Sequence, residues 1–196
     1  MGRRVRRVRY TLDTKGLKHL PQEEIAAILR GADDLIMCGG RSLLVKVLKG
    51  PHAKKVLELE LDKSPVYGYY TSLTTDQILA RVDWTIVNGY LDIGYDYRLP
   101  LLRYTPRGWE IERETYAGEL LQEFDEMLES GCEQFDMDYL KDRARDMIML
   151  LLDKVEATGD RKYIPILEAW AEIDYKKVRK RIRQVVDTLS QGAIQR

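Results

Sequence analysis

One stretch, residues 72–109, restricts the fold more than any other. It reads SLTTDQILARVDWTIVNGYL, then DIGYDYRLP, then LLRYTPRGW. Thr74 is a candidate N-cap, and Gln77 stands three residues on, the spacing of a capping box. Ile78, Leu79, Val82 and Ile86 share one face at helical spacing, and Gly89 is a natural stop. Leu91, Ile93 and Tyr95 then alternate with Asp92 and Gly94, the period of a half-buried strand. Residues 101–104 supply the return strand. Asp96, Tyr97, Arg98, Leu99 and Pro100 are left for the tip, and Pro100, with no amide proton, suits a tip or an edge. A helix followed at once by a two-stranded wing is the order of a winged helix.

Two parts of this stretch carry candidate chemistry. Gln77, Arg81, Trp84 and Asn88 fall in one stripe on the helix face opposite the apolar one. Donors around an indole can read bases or grip a phosphate backbone. The same pattern also fits a solvated face with Trp84 packed on a neighbouring segment, since exposed tryptophan is uncommon. At the tip, Tyr97 beside Arg98 suits stacking on a base and pairing with a phosphate; an ordinary polar hairpin end has the same composition.

Charge neither demands nor forbids a nucleic-acid ligand. The 196 residues hold 32 Lys plus Arg and 32 Asp plus Glu, but the signs are unevenly placed. Arg3, Arg4, Arg6, Arg7 and Arg9 crowd the start, a basic arm able to lie along phosphates or in a minor groove. A strand with one charged face, or a frayed tail, reads the same. The two cysteines, Cys38 and Cys132, make neither a metal framework nor a disulfide scaffold. Cys38 is expected to be a buried structural thiol. No apolar run is long enough for a bilayer span, and the N-terminus lacks the apolar core of a signal peptide. A soluble cytoplasmic protein, nucleoid-associated when bound to DNA, is expected.

Ahead of the winged stretch, Pro21 fits a helix first turn, with Gln22, Glu23 and Glu24 at the positive end of the dipole. Ile25, Ile28 and Leu29 form its apolar face, and Gly31 weakens its continuation. After the Cys38-Gly39-Gly40 break, Arg41 opens a short helix through Leu43, Leu44, Val47 and Leu48. That helix stops at Lys49-Gly50-Pro51. Lys54 and Lys55 follow at the start of another short helix. Lysines beside a glycine turn and near a helix start can meet phosphates, although solvated cations are equally compatible with Arg41, Lys54 and Lys55.

The run GGRSLLVKVLKG, then KKVLELELDKSPVYG, then LTTDQILARVDWTIVNGYL resembles the RQC domain, the winged helix C-terminal to the helicase core of RecQ helicases. The resemblance rests on Gly39, Gly40, Leu48, Lys49, Gly50, Lys54, Lys55, Tyr67, Gly68 and Gly89, with Thr105-Pro106-Arg107-Gly108 as the closing turn. It covers residues 25–109. It implies duplex or junction DNA as ligand, with Lys49, Lys54 and Lys55 on phosphates. It also implies a wing tip set against a terminal base pair, a role falling to Tyr95, Tyr97 or Leu99. The departures matter. There is no phosphate-binding glycine loop ending in Gly-Lys-Ser/Thr, hence no helicase motor. The four cysteines of the RecQ zinc module are absent. Pro51 stands where many members have Ser, which removes a backbone donor. The whole looks like a stand-alone RQC-type protein.

Beyond Trp109 the chain turns acidic and helical, with Tyr116, Leu120, Leu121, Phe124 and Leu128 at helical spacing. A second helix is expected to run from Met137 through Ala144 to Leu152. Asp160 and Asp174 are expected to cap two more, the last carrying Lys176, Lys177, Arg179, Lys180, Arg181 and Arg183 on its outside. Short helix pairs with Gly-Asp and Pro punctuation look like HEAT-type units.

The expected class is therefore mainly α with a small β wing. Residues 1–20 form a basic arm, 21–113 an RQC-like winged helix and 114–196 an α-helical, HEAT-like region. His19 and His52 are isolated, and no carboxylate pair or metal-ligand cluster is fixed by spacing, so neither an enzyme nor a cofactor or metal site is expected. The expected function is non-enzymatic binding of duplex or fork DNA in repair, recombination or replication. The expected contacts are Arg41, Lys49, Lys54, Lys55, Gln77, Arg81, Trp84, Asn88, Tyr95, Tyr97 and Arg98. A protein partner could occupy the acidic helical half, and no membrane partner is expected. The alternatives are a winged-helix transcription regulator and an interaction scaffold with no DNA role.

Overall fold

Thr74 and Gln77 close the capping box: the Thr74 hydroxyl accepts from the Gln77 amide at 3.3 Å, and the Gln77 side chain accepts from the Thr74 amide at 2.9 Å. The helix they start, α4 (Thr75–Val87), is the centre of the first of two compact units, Met1–Glu112 and Arg113–Arg196. The computed structural model describes residues 7–131, 134–141 and 143–191. Arg3, Arg4, Arg6 and Cys132 lie outside them.

In the first unit α1 (Gln22–Ala32), α2 (Arg41–Lys49) and α3 (Lys54–Glu58) precede α4, and β1 (Leu91–Asp96) and β2 (Leu99–Tyr104) follow it. The architecture is mainly α with a small β wing, as the sequence pattern requires. Ile28, Leu29, Leu44, Leu48, Ile78, Val82, Leu91 and Leu102 meet in one core. Their helical and alternating spacings turn all of them inward together.

Two glycines fix how these elements meet. Helix α1 does not weaken at Gly31, because the chain packs tightly at that position. A side chain there would come within 3.1 to 3.3 Å of Val66, Leu44 and Leu48, so only hydrogen lets α1 approach α2 this closely. Gly50 ends α2 with φ 78, and a Cβ on it would lie 2.8 Å from the Gly68 Cα. The Gly68 and Tyr70 amides donate to Val47 and Leu48 at 2.9 and 2.8 Å, so the loop before α4 is pinned to the end of α2.

The wing is tighter than its composition suggests. Strands pair antiparallel from Leu91–Tyr104 to Asp96–Leu99, with Tyr95 opposite Pro100. Only Tyr97 and Arg98 form the turn, not all of residues 96–100, and Tyr97 takes a positive φ of 50. Pro100 belongs to β2 itself. The outer edge of β2 also pairs with the segment before α2, through the Met37 amide to Leu102 and the Leu102 amide to Gly39, both at 2.9 Å.

The turn expected at residues 105–108 is instead the start of a long helix, α5 (Pro106–Glu129). Thr105 accepts from the Gly108 amide at 3.1 Å and Pro106 occupies the first turn, where a missing amide proton costs nothing. Near this start Tyr104 donates to the Leu29 carbonyl at 2.8 Å. Burial, then the carboxylates of Glu112 and Asp33, raise its hydroxyl well above the ordinary tyrosine range.

The second unit contains the rest of α5, then α6 (Arg145–Thr158), α7 (Ile164–Ile173) and α8 (Lys176–Gln191). Helix α6 starts later than its apolar residues suggest: Met137 and Leu140 are buried around a separate 3-10 turn, and Ala144 is only the N-cap. Asp160 caps a 3-10 turn that runs into α7. Asp174 closes α7 rather than capping α8: its carboxylate accepts from the Trp170 indole at 2.7 Å and from the Tyr175 amide at 2.5 Å. Helix α8 packs on α6 and α7 through Val178, Ile182, Val185 and Leu189. Arg181 joins it to α6, with Asp153 at 2.7 Å and Glu156 at 2.5 Å.

Candidate nucleic-acid interface

Helix α4 does not present the stripe expected of it. Trp84 is only 5% exposed. It stacks on Tyr90 at 6.0 Å between centroids and meets His19 edge-on at 6.4 Å. The packed alternative is the observed one, and Trp84 offers no surface to a base. The cause lies next to it. Asp83 is 1% exposed, pairs with Arg41 and accepts from the Asp13 amide at 2.8 Å. That face of α4 therefore turns toward α2 and residues 11–13, a direction set by partners far away in sequence.

Of the other members of the stripe, Arg81 is engaged inside the fold. Arg81 pairs with Glu24 of α1 at 2.9 Å and lies over the Tyr70 ring. Glu24 also accepts from the Tyr70 hydroxyl at 2.6 Å. Burial first, and that hydrogen bond second, push the hydroxyl far above its usual range. Gln77 is exposed, with its side-chain oxygen held in the cap. Asn88 is exposed at the C-cap and donates to the Trp84 carbonyl at 2.9 Å.

The cations around the glycine turn divide in the same way. Lys49 donates to the Thr71 and Leu73 carbonyls at 2.5 and 2.7 Å, clasping the loop ahead of α4. Arg41 pairs with Asp83, donates to the Thr11 carbonyl at 3.2 Å and lies over the Tyr10 ring. Its side chain is 16% exposed. Lys54 is 89% exposed, with Glu58 at 3.6 Å. Lys55 is exposed and lines a cavity of about 370 Å³ with Arg9, Arg41, Gly40, Ile93 and Pro100.

The wing is where side chains are presented outward. Tyr97 and Leu99 are 67% and 59% exposed, and Arg98 lies over the Tyr97 ring at 5.3 Å. Tyr95 is half-buried instead. Its hydroxyl donates to the Val8 carbonyl at 3.0 Å, and Arg7 lies over its ring at 4.8 Å. The Val8 amide donates to the Arg98 carbonyl at 3.1 Å. The described part of the basic arm thus runs along the wing and brings Arg7 and Arg9 to it. The sequence pattern places arginines in the arm but does not reveal this pairing with the wing. The available signal is the alternation of Val8 and Tyr10 with Arg7 and Arg9, a strand pattern. Asp83 is likewise absent from the residues expected from sequence, and an acid between Val82 and Trp84 in a largely buried helix is its signal.

Cys38 is exposed rather than buried. Its thiol donates to the Asp34 carbonyl, and partial desolvation of the sulfur followed by the Asp34 charge raises its pKa. The neutral thiol therefore predominates at neutral pH. Among the described residues no group of three or more His, Cys, Asp or Glu could hold a metal ion. No described helix is long and apolar enough to cross a membrane.

No curated protein and no solved structure matched the chain. A family model described as the RQC domain matches residues 19–123, more than half of the sequence. That span holds α1 to α4, the wing and most of α5. RQC is a winged-helix domain, itself not catalytic, that typically binds DNA in RecQ helicases. By that match and by its helix–wing order, this chain belongs to the RQC domain family.

Proposed function

We propose that this protein binds duplex or fork DNA without a catalytic step, in replication, recombination or repair. The observation that carries this reading is the wing tip, where Tyr97 and Leu99 stand exposed beside Arg98. Tyr97 or Leu99 is set against the terminal base pair. Arg98, Arg7, Arg9, Lys54 and Lys55 hold phosphates. Unstacking a step costs a few kcal/mol, the same order as one aromatic stack at ~1–3 kcal/mol. A wedge therefore works only where phosphate contacts hold the protein in place. Arg41, Lys49, Arg81 and Trp84 position this surface from behind, and Gln77 and Asn88 add polar contacts at the two ends of α4. Residues 114–196 are a HEAT-like helical region that follows the winged helix in sequence.

Anisotropy of labelled duplex, forked and single-stranded DNA over a salt series tests the reading. Replacing Lys54 and Lys55 by Glu is expected to weaken all DNA binding alike. The log–log salt dependence should flatten by about 0.9 for each phosphate no longer neutralised. Unchanged affinity would remove both lysines from the site. A strong preference for one duplex sequence would favour a transcription regulator. No saturable binding at low salt would favour an interaction scaffold.

A further inference from the structure

Helix α8 carries a row of cations that the fold does not use. Lys176, Arg179, Lys180 and Arg183 follow the i, i+3, i+4, i+7 pattern of one helix face and line one outer groove with Gln184 and Asp187. The opposite face is the buried one, with Val178, Ile182, Val185 and Leu189. No ion pair forms with any of the four among the described residues, whereas Arg181, on the same helix, is held by Asp153 and Glu156. Arg181 is what a structural cation looks like in this unit, and the other four differ from it.

Their position also opposes helix stability. Lys176 and Arg179 lie in the first turn of α8, where the macrodipole is positive and favours acids. The first turn of α8 itself contains no acid, so an external anion would relieve that repulsion. The row spans seven residue steps, about 10 Å at 1.5 Å per residue. That is close to three nucleotide steps on one strand at about 3.4 Å each. Tyr175, 56% exposed, stands at the head of the row.

We propose that this face of α8 is a second phosphate-backbone surface, outside the RQC match, that holds nucleic acid. A membrane surface fits less well, because an interfacial helix needs a free apolar face and the apolar face of α8 is already packed in the core. The ligand chemistry is a run of phosphodiesters, and DNA and RNA are its two sources. The surface stands independently of the wing.

The test uses the full chain with Lys176, Arg179, Lys180 and Arg183 replaced by Gln, and a companion in which Lys and Arg are exchanged at the same four positions. Both are titrated with labelled duplex DNA and duplex RNA across salt concentrations. The Gln variant is expected to lose about tenfold or more in affinity at low salt, and its log–log salt slope to flatten by about 2 to 4. The exchanged companion keeps most of both, which rules out misfolding as the cause. Loss on one nucleic acid only assigns the surface to it. Unchanged affinity and slope for the Gln variant would overturn the inference, as would no binding of either nucleic acid by the unaltered protein. Row-dependent capture on phosphatidylserine vesicles with nucleic-acid binding intact would do the same. Should the Lys54 and Lys55 replacements have no effect while the α8 replacements do, the proposed RQC site fails and this surface stands.

Discussion

Helix α4 and the wing adjoin in sequence and carry similar side chains, an aromatic with a cation in each, yet they treat them in opposite ways. On α4, Arg81 is engaged by Glu24 and Trp84 is enclosed by Tyr90 and His19. At the wing, the Tyr97 side chain stands exposed with the Arg98 guanidinium over its ring. Residue type alone does not make a ligand contact. A polar or aromatic side chain is available only where the fold leaves it without internal work, and that depends on what the rest of the chain brings alongside. A helix at the centre of a small unit has neighbours on several sides. A two-residue turn at the end of a hairpin has almost none.

The comparison is broken most directly at Trp84. If the indole is core, Trp84→Ala should cost about 3–5 kcal/mol of stability, the range for emptying a large aromatic site. DNA affinity per folded molecule should change little. Denaturant unfolding, with anisotropy at a temperature where the variant is still folded, separates the two quantities. A variant of native stability that binds DNA poorly would put Trp84 back on the surface and reverse the contrast.

The distances in sequence explain which features could be read in advance. The capping box joins residues three apart and the wing alternation runs over five residues, and both follow from local periodicity. Gly50 could be read as a helix stop, and Lys54 and Lys55 as exposed cations, for the same reason. The partners that decide the fate of Arg41, Arg81 and Trp84 are not local. Asp83 is 42 positions from Arg41 and Glu24 is 57 from Arg81, and no spacing rule links such pairs. The start of α5 failed differently. Thr-Pro-x-Gly serves equally as a turn and as a capped first helical turn, and the choice is made by Thr105, whose hydroxyl also donates to the Gly89 and Tyr90 carbonyls. Of the eleven site residues read from sequence, those that stay outward are the ones on short turns, at helix ends and on the short α3, where neighbours are few.

A smaller effect sharpens the wing side of the contrast. Tyr97→Ala should leave stability within about 0.5 kcal/mol of the parent, as for other exposed positions. Its positive φ gives the change no further cost, since both residues carry a Cβ. Affinity for a fork or a duplex end should fall by ~1–3 kcal/mol if the ring stacks on a base, while an end-free circular duplex is bound as before. Equal weakening on circular and forked DNA would make Tyr97 a general contact rather than a wedge.

The smallest expected effect concerns what holds the wing in shape. Asp92 on β1 pairs with Arg103 on β2 and also accepts from the Ile93 amide at 2.7 Å. The Arg103 hydrogen bond first, and the Ile93 amide second, hold the Asp92 carboxyl below its ordinary range. A carboxyl depressed in the folded state stabilises the fold above its unfolded pKa of about 3.9. That contribution is lost as pH falls through the lower folded value, because the unfolded chain takes up the proton first. Both side chains are about half exposed, 48% and 53%, so solvent and salt screen the pair and its worth is a few tenths of a kcal/mol at most. Asp92→Asn should therefore melt slightly below the parent at neutral pH and together with it under strong acid. A gap that widened in acid would show that the pair does not act through the Asp92 charge. Whatever sets the wing, it must come mainly from Ile93 and Leu102 in the core and from the Met37 and Gly39 backbone pairing, which are insensitive to pH.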